Sequence, residues 1–282
     1  MHIVKDIPSL RKHLDIGRRD GKSIAFVPTM GNLHEGHLSL IDEAKKHAEV
    51  IVASIFVNPM QFGENEDLNA YPRTFQADAS ALEDRGCHIL FAPSVAEIYP
   101  NGTQEETRVD VPSLGKYHCG ASREGHFIGV ATVVSKLFNM VQPDFSIFGE
   151  KDFQQLAIIR KMTSDLCFAT KIIGVATARE DNGLAKSSRN GYLKPNEKLL
   201  ATNVYQTLLS CKDKILAGER DLETISSQAN NELKALGFKP DYVNIANPAT
   251  LKASNQDDTE FVILVAAYLG NTRLIDNITV SI

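Results

Sequence analysis

The chain has 282 residues, 43% of them hydrophobic and 23% charged, with 30 Lys and Arg against 35 Asp and Glu. That length and balance describe an ordinary globular protein with a large core, expected as two domains. The formal net charge of −5, without a long basic run, argues against nucleic acid or a membrane surface as the main partner. Cys87, Cys119, Cys167 and Cys211 lie far apart and form no Cys-x-x-Cys pair, which argues against a disulfide framework or a structural zinc site and fits a reducing cytoplasm. Residues 1–6 carry no apolar h-region of a secretory signal, and no apolar run approaches the roughly 20 residues of a membrane span.

In chain order, the apolar run Ile24 to Val27 predicts a buried strand, and Gly36 to Ala48 a helix whose Leu38, Leu40, Ile41, Ala44 and Ala48 fall mostly on one face. Val50 to Val57 is a nearly continuous apolar strand, as a sheet covered on both faces requires. A helix over Thr74 to Arg85 ends near Gly86, and His88 to Phe91 is a third strand. Residues 94–128 read as irregular, being rich in Gly and Pro. Then come a helix over Gly129 to Val141, a strand over Phe145 to Phe148, a helix over Phe153 to Leu166 and a strand over Lys171 to Ala176. This alternation predicts an α/β domain with a parallel, doubly wound sheet over residues 1–176. After it, helices near Glu197 to Ala217 and Leu222 to Leu236 precede strand-like segments at 242–245, 261–268 and 273–282, which predicts a smaller α+β domain over residues 177–282.

The most informative segment is Pro28 to His37, where a strand passes into a helix through Met30-Gly31-Asn32-Leu33-His34-Glu35-Gly36-His37. His34 and His37 are three apart and share a helix face. A helix N-terminus has free N–H groups and the positive end of the dipole, so two imidazoles there point to handling of nucleotide triphosphate. Gly31 and Gly36 allow the close backbone approach that a phosphate-binding turn needs. A metal pair or a plain surface helix start are the competing readings of the same residues.

Other candidates also follow predicted strands. Asn58 and Gln61 follow the second strand, Gly149-Glu150-Lys151-Asp152 and Gln154-Gln155 the fourth, and Thr177 to Glu180 with Lys186-Ser187-Ser188-Arg189 the fifth. In open α/β sheets ligands bind beyond the carboxyl ends of the strands, which predicts that these segments share one rim with the histidines. Lys186 and Arg189 suit phosphate, or form a charged solvated turn. Asn58 and Gln61 are either turn residues or neutral amides that orient a carboxylate without quenching its nucleophilicity.

Together these motifs resemble the pantoate–β-alanine ligase family. The resemblance runs through Pro28 to His37, Phe56 to Phe62, Tyr71 to Thr74, His126 to Val130, Gly149 to Gln155 and Ser187 to Asn190, and so covers most of the first domain and part of the second. It implies a Rossmann-like nucleotidyltransferase domain of the His-x-Gly-His type, a C-terminal lid-like domain, a cytoplasmic homodimer, and small-molecule substrates only. The implied reaction converts ATP, (R)-pantoate and β-alanine, with Mg²⁺, to pantothenate, AMP and pyrophosphate. By the same carry-over, Met30, Gly31, Asn32, Leu33, His34, Glu35, Gly36, His37, Gly149, Glu150, Lys151, Asp152, Ala178, Lys186, Ser187, Ser188 and Arg189 would contact ATP. Gln61 and Gln155 would hold pantoate, Gln61 would also lie next to β-alanine, and His37, with His34 and Lys151, would be catalytic.

Four positions depart from the usual family pattern: Ala176 and Ala178 replace Pro and Val, Lys186 replaces Met, and Glu124 replaces Pro after Arg123. A backbone contact at 178 survives such a change. Lys186 either adds a phosphate contact or points to solvent, and Glu124 leaves the pose of Arg123 open. In the implied chemistry pantoate's carboxylate attacks the α-phosphorus, and the amine then attacks the acyl carbon. Alignment and charge stabilisation are what the protein must supply, with no protein nucleophile. Mg²⁺ would be held mostly by phosphates, with Asp78 a candidate for an outer contact. Two rivals remain: an adenylyltransferase acting on a phosphate ester, which would share the histidine motif, and a nonenzymatic nucleotide-binding regulator that uses the fold as a sensor.

Overall fold

The computed structural model describes residues 1–63 and 68–282. Contacts divide the chain into two compact units. The first contains residues 1–115, 123–150 and 155–176, and the second residues 116–122, 151–154 and 177–282.

The first unit is built on six strands: β1 (His2–Val4), β2 (Ile24–Thr29), β3 (Val50–Ile55), β4 (Ile89–Phe91), β5 (Phe145–Gly149) and β6 (Lys171–Val175). Their order is β1-β4-β3-β2-β5-β6, and every neighbouring pair is parallel. The chain moves from β2 outward to β3 and β4, then returns to the other side of β2 to lay down β5 and β6. The direction therefore reverses between β2 and β5, the crevice where open α/β sheets bind ligands.

Alternation along the strands fixes the two faces. Ala25, Val27 and Ile147 pack in one cluster with Leu38, Leu40, Ile41 and Ala44 of the helix Glu35–His47 and with Ala79 and Leu82 of the helix Phe75–Asp84. The next residue after Ile147, Phe148, meets Phe138 of the helix His126–Val141 edge-on, with ring centroids 6.4 Å apart. Both faces are thus covered, which is why β2 and β3 read as continuous apolar runs.

The sequence gives no expectation for β1 or for the helix Ile7–Arg19, which Asp6 caps through Ser9 and which buries Leu10 and Leu14. Residues 94–128, expected to be irregular, contain three single-turn helices at Val95–Ile98, Pro112–Gly115 and Cys119–Ser122. The helix His126–Val141 starts three residues earlier than expected, after Gly125 at φ 74°.

The second unit pairs three antiparallel strands, β7 (Lys239–Ala246), β8 (Glu260–Leu269) and β9 (Thr272–Ser281), in that order. Val204, Leu208, Cys211 and Ile215 of the helix Asn203–Leu216, and Ile225, Ala229 and Leu233 of the helix Leu222–Ala235, pack against Val243, Ile245, Phe261, Ile263 and Val265. The single helix expected over Glu197 to Ala217 is in fact two, Pro195–Ala201 and Asn203–Leu216, broken at Thr202. Among the described residues no helix is long and apolar enough to cross a membrane.

One glycine shows how tightly the first unit is fitted. A Cβ on Gly129 would lie 2.3 Å from the Met60 carbonyl oxygen and 2.5 Å from its carbon. The helix His126–Val141 therefore approaches the turn Pro59–Gln61 at a distance only glycine permits. Gly129→Ala is expected to cost about 1–3 kcal/mol, the usual range for overpacking, and to lower the midpoint of thermal unfolding. An unchanged midpoint would show that the turn moves freely.

Candidate active site

The site starts where β2 ends. Thr29 Oγ1 donates to the Ser54 carbonyl at 2.7 Å and accepts the Gly31 N–H at 3.2 Å. Gly31 and Asn32 then adopt positive φ, 81° and 51°. A side chain at 31 would be strained there, and its Cβ would lie 3.1 Å from both Asp78 Oδ2 and Ile55 Cγ2. Asp78, on the helix Phe75–Asp84, is buried. Its Oδ2 accepts the Asn32 N–H at 2.9 Å and the Thr74 hydroxyl at 3.1 Å, and its Oδ1 accepts the Leu33 N–H at 2.8 Å. Asp78, suggested by sequence as an outer Mg²⁺ contact, is thus occupied as the clamp of this turn.

Beyond the turn, His34 caps the helix Glu35–His47 in place of the usual Ser, Thr or Asp. Its Nδ1 accepts the Gly36 N–H at 3.1 Å, and His37 Nδ1 accepts the His34 N–H at 3.4 Å. An amide N–H only donates, so both Nδ1 atoms are acceptors. Each neutral ring therefore carries its proton on Nε2. The two rings lie 4.1 Å apart at 37°. Two N–H donors beside the positive end of a helix dipole are chemically suited to an anion. Glu35 lies in the same motif, but its carboxylate pairs with Arg85, which also holds Asp42 at 2.5 Å. Among the described residues no group of three or more His, Cys, Asp or Glu is placed to hold a metal ion.

After β3 the chain makes the short turn Pro59–Gln61, capped by Asn58. Asn58 is buried, and its Nδ2 donates to Gln61 Oε1 and to the Gly129 carbonyl, both at 3.1 Å. Gln61 Nε2 lies 2.9 Å from Met30 Sδ, which joins the amide to the turn after β2. The His126 ring donates from Nδ1 to the Gln61 carbonyl at 2.8 Å, and its Nε2 accepts from Arg123 Nη1 at 3.0 Å. With Glu124 beside it, Arg123 is thus still held by a side chain three residues on. Gln155, on the helix Phe153–Asp165, is half-buried, and its side chain has no hydrogen-bond partner among the described residues. Gly149 ends β5 and Glu150 follows it in the short turn Glu150–Asp152.

The remaining sequence candidates belong to the second unit. The Lys151 carbonyl accepts from Asn277 Nδ2 at 2.8 Å, and the Lys151 ammonium makes no ion pair among the described residues. Asp152 is exposed. Its neighbour Gln154, unlike Gln155, is buried and spent on structure, donating to the Tyr117 carbonyl at 2.7 Å and accepting the Cys119 N–H at 3.1 Å.

Residues 178–186 form a small hairpin closed by Lys186 N–H to the Ala178 carbonyl at 2.9 Å. Arg179 grips Asp276 with two bonds, 2.6 and 3.0 Å, and stacks on Tyr205 with its guanidinium 3.7 Å from the ring centroid. Lys186, where sequence left two options, pairs with Glu180 at 2.8 Å. Ser187 caps the turn Ser188–Tyr192, which contains Arg189, and accepts the Arg189 N–H at 3.3 Å. Lys151, Ser187 and Asn190 line one cavity with Tyr205 and Asp276. The side-chain amide oxygen of Asn190 is buried without a hydrogen-bond partner among the described residues. Elsewhere, burial pushes the Cys87 and Cys211 thiols up to about 11, so neither is a nucleophile at neutral pH.

Asp78, Tyr99, His126 and Asn277 hold the candidate residues in place; Asp78 was expected only as an outer Mg²⁺ contact, and the other three were not among the expected site positions. Asp78 is 45 residues from the N–H group of Leu33 that it accepts, and no local spacing announces such a bond.

A family model described as pantoate-beta-alanine ligase matches residues 2–279. The pantothenate synthetase of Alcanivorax borkumensis is 54% identical over 282 residues, covering 100% of this chain and 99% of that one. That of Marinobacter nauticus is 53% identical over 281 residues, covering 100% of both. Among solved structures, pantothenate synthetase from Thermus thermophilus matches with a TM-score of 0.92 at 41% identity, over 99% of each chain. Pantoate-beta-alanine ligase from Francisella tularensis, complexed with beta-gamma ATP and beta-alanine, matches with a TM-score of 0.80 at 35% identity, over 99% of this chain and 97% of that one.

Asp78→Ala leaves two part-buried N–H groups of the turn without their acceptor, at a cost of about 1–3 kcal/mol. The variant is expected to unfold at lower temperature and to bind ATP more weakly. ATP affinity equal to wild type, measured by calorimetry, would contradict the clamp.

Proposed function

The chain belongs to the pantoate-beta-alanine ligase family, and we propose that it condenses (R)-pantoate with β-alanine through a pantoyl-adenylate intermediate, using ATP. The observation that carries this reading is the pair of histidine Nε2–H donors at a helix N-terminus, at the strand-order reversal, with the Gln61 amide tied to the same turn through Met30. The ATP and β-alanine complex of the Francisella protein supports those two ligands here.

ATP enters as its Mg²⁺ complex, the metal travelling on the phosphates as part of the substrate. His34 and His37 donate to phosphate oxygens, and the backbone from Met30 to Leu33, with Glu35 and Gly36 at the helix start, shapes the nucleotide cradle. Gly149 and Glu150 border it at the end of β5. Lys151, Ser187, Ser188 and Arg189 contact the nucleotide, with Asp152, the Ala178 backbone and Lys186 beside them. Gln61 and Gln155 hold pantoate, and Gln61 also borders β-alanine.

One pantoate carboxylate oxygen attacks the α-phosphorus, and the bond from that phosphorus to the α,β-bridging oxygen breaks to release pyrophosphate. Charge builds on the non-bridging oxygens, where fixed donors stabilise the transition state more than the ground state. His37 serves as the principal donor and acid. A neutral β-alanine amine then attacks the acyl carbon, the acyl–phosphate bond breaks, AMP leaves, and the amine loses its proton to solvent or phosphate. No side chain becomes covalently attached. The family likeness further supports a homodimer working in the cytoplasm.

Incubation with ATP, Mg²⁺ and pantoate tests the proposal. Pyrophosphate is expected only when pantoate is present, and AMP with pantothenate only after β-alanine is added. Pyrophosphate formation indifferent to pantoate overturns it. His37→Ala and Lys151→Ala are each expected to lower kcat about 10²–10³-fold, the size of a lost charge-stabilising donor. Turnover near wild type in both would remove their roles. Gln61→Ala is expected to raise the KM for pantoate, and an unchanged KM and dissociation constant count against its assignment.

A further inference from the structure

We propose that Tyr99 is a positioning residue for pantoate: through the buried Asn58 amide, its hydroxyl holds Gln61 with its N–H₂ group turned toward the substrate. The inference rests on the reading of Gln61 as a pantoate contact and goes one link beyond it.

Tyr99 closes the single-turn helix Val95–Ile98 and is only 2% exposed. Its hydroxyl donates to Asn58 Oδ1 at 2.8 Å. Burial, reinforced by the Glu106 carboxylate, holds its ionisation far above the ordinary phenol range, so this group is a permanent donor. The ring is fixed as well: Lys136 Nζ lies 4.9 Å from its centroid and is itself paired with Glu106 at 2.6 Å. The other bond to Asn58 Oδ1, from the Met60 N–H, is longer at 3.3 Å. Tyr99 therefore makes the short contact on that oxygen.

The consequence passes along the chain of amides. With Oδ1 held by donors, Asn58 Nδ2 must face its two acceptors, Gln61 Oε1 and the Gly129 carbonyl. Gln61 Oε1 is then consumed, and its Nε2 carries two hydrogens. One faces Met30 Sδ, a weak acceptor; the other is left for a ligand oxygen. A carboxylate can only accept, so a Gln61 turned the other way would present an oxygen to it and repel it. A neutral N–H also orients the attacking carboxylate without the full charge that would blunt its nucleophilicity.

Tyr99→Phe removes one oxygen and keeps the ring. In steady-state pyrophosphate release it is expected to raise the KM for pantoate about five-fold, the scale of one buried hydrogen bond. The KM for ATP and kcat should stay within about two-fold. The decisive readout is a cycle in the Gln61→Ala background, where the same substitution should change the pantoate KM by less than about two-fold, because the link it acts through is gone. An unchanged pantoate KM in Tyr99→Phe, or an undiminished effect in the Gln61→Ala background, overturns the relay while leaving the ligase reading intact. A wild-type protein that releases no pantoate-dependent pyrophosphate overturns both. Should a melting curve show Tyr99→Phe unfolded, Asn58→Ser breaks the next link, and it must raise the pantoate KM with the ATP KM unmoved or the relay fails.

Discussion

A buried carboxylate that accepts two successive amide N–H groups decides what the end of β2 can do. Asp78 holds Asn32 and Leu33 in a turn with two positive-φ residues, and this turn aims the chain into a helix that starts at His34. Without that clamp the two N–H groups lose their acceptor, and the turn that leads into the helix at His34 is weakened. The clamp also explains the side chains around it. At residue 31 a Cβ would be strained by the positive φ and tightly fitted, Thr29 ties the strand end to β3, and Thr74 orients the carboxylate from its own helix start.

From this turn the two functions of the first unit diverge. Toward the helix, backbone amides fix the tautomer of both imidazoles, so their donor geometry is already set in the protein alone. Preorganised donors of this kind cost no rearrangement as charge develops, which is where such sites gain most of their effect. Toward β3, Met30 touches Gln61, and Gln61 belongs to a buried set of amides and a phenol. In the proposed reaction one set of groups favours an anion with charge spread over phosphate, while the other offers neutral donors to a carboxylate. That division suits a reaction in which one anion must attack another. The second unit has its own preorganised elements, the Arg179–Asp276 pair stacked on Tyr205 and the Ser187-capped turn.

Much of the architecture is legible in the sequence because the sheet is buried on both sides. Continuous apolar runs at 24–27 and 50–57 mark strands directly; the structure extends the first to Thr29 and ends the second at Ile55. His34 and His37 are legible for a different reason, since their spacing and the flanking glycines are local. The three-residue strand β1 is too short to show a period, and the helix that follows it passes unread although Asp6 caps it. The break at Thr202 is hidden because Leu199 to Val204 is apolar enough to continue a helix, and the exposed Leu199 gives no core face to one side of it. The supporting residues are the least legible. Tyr99 stands in a stretch rich in Gly and Pro, and its partner Asn58 is 41 residues away. Nothing in local spacing marks a residue whose role is to orient another residue's amide.

The central claim is chemical: the chain aligns pantoate's carboxylate with the α-phosphorus, so that one carboxylate oxygen ends in AMP. Pantoate labelled with ¹⁸O in both carboxylate oxygens tests this most directly, by mass spectrometry of the products after complete turnover. The account predicts one ¹⁸O in each AMP, one in pantothenate and none in pyrophosphate. Unlabelled AMP, with the label retained in pantoate-derived product or found in pyrophosphate, would contradict it.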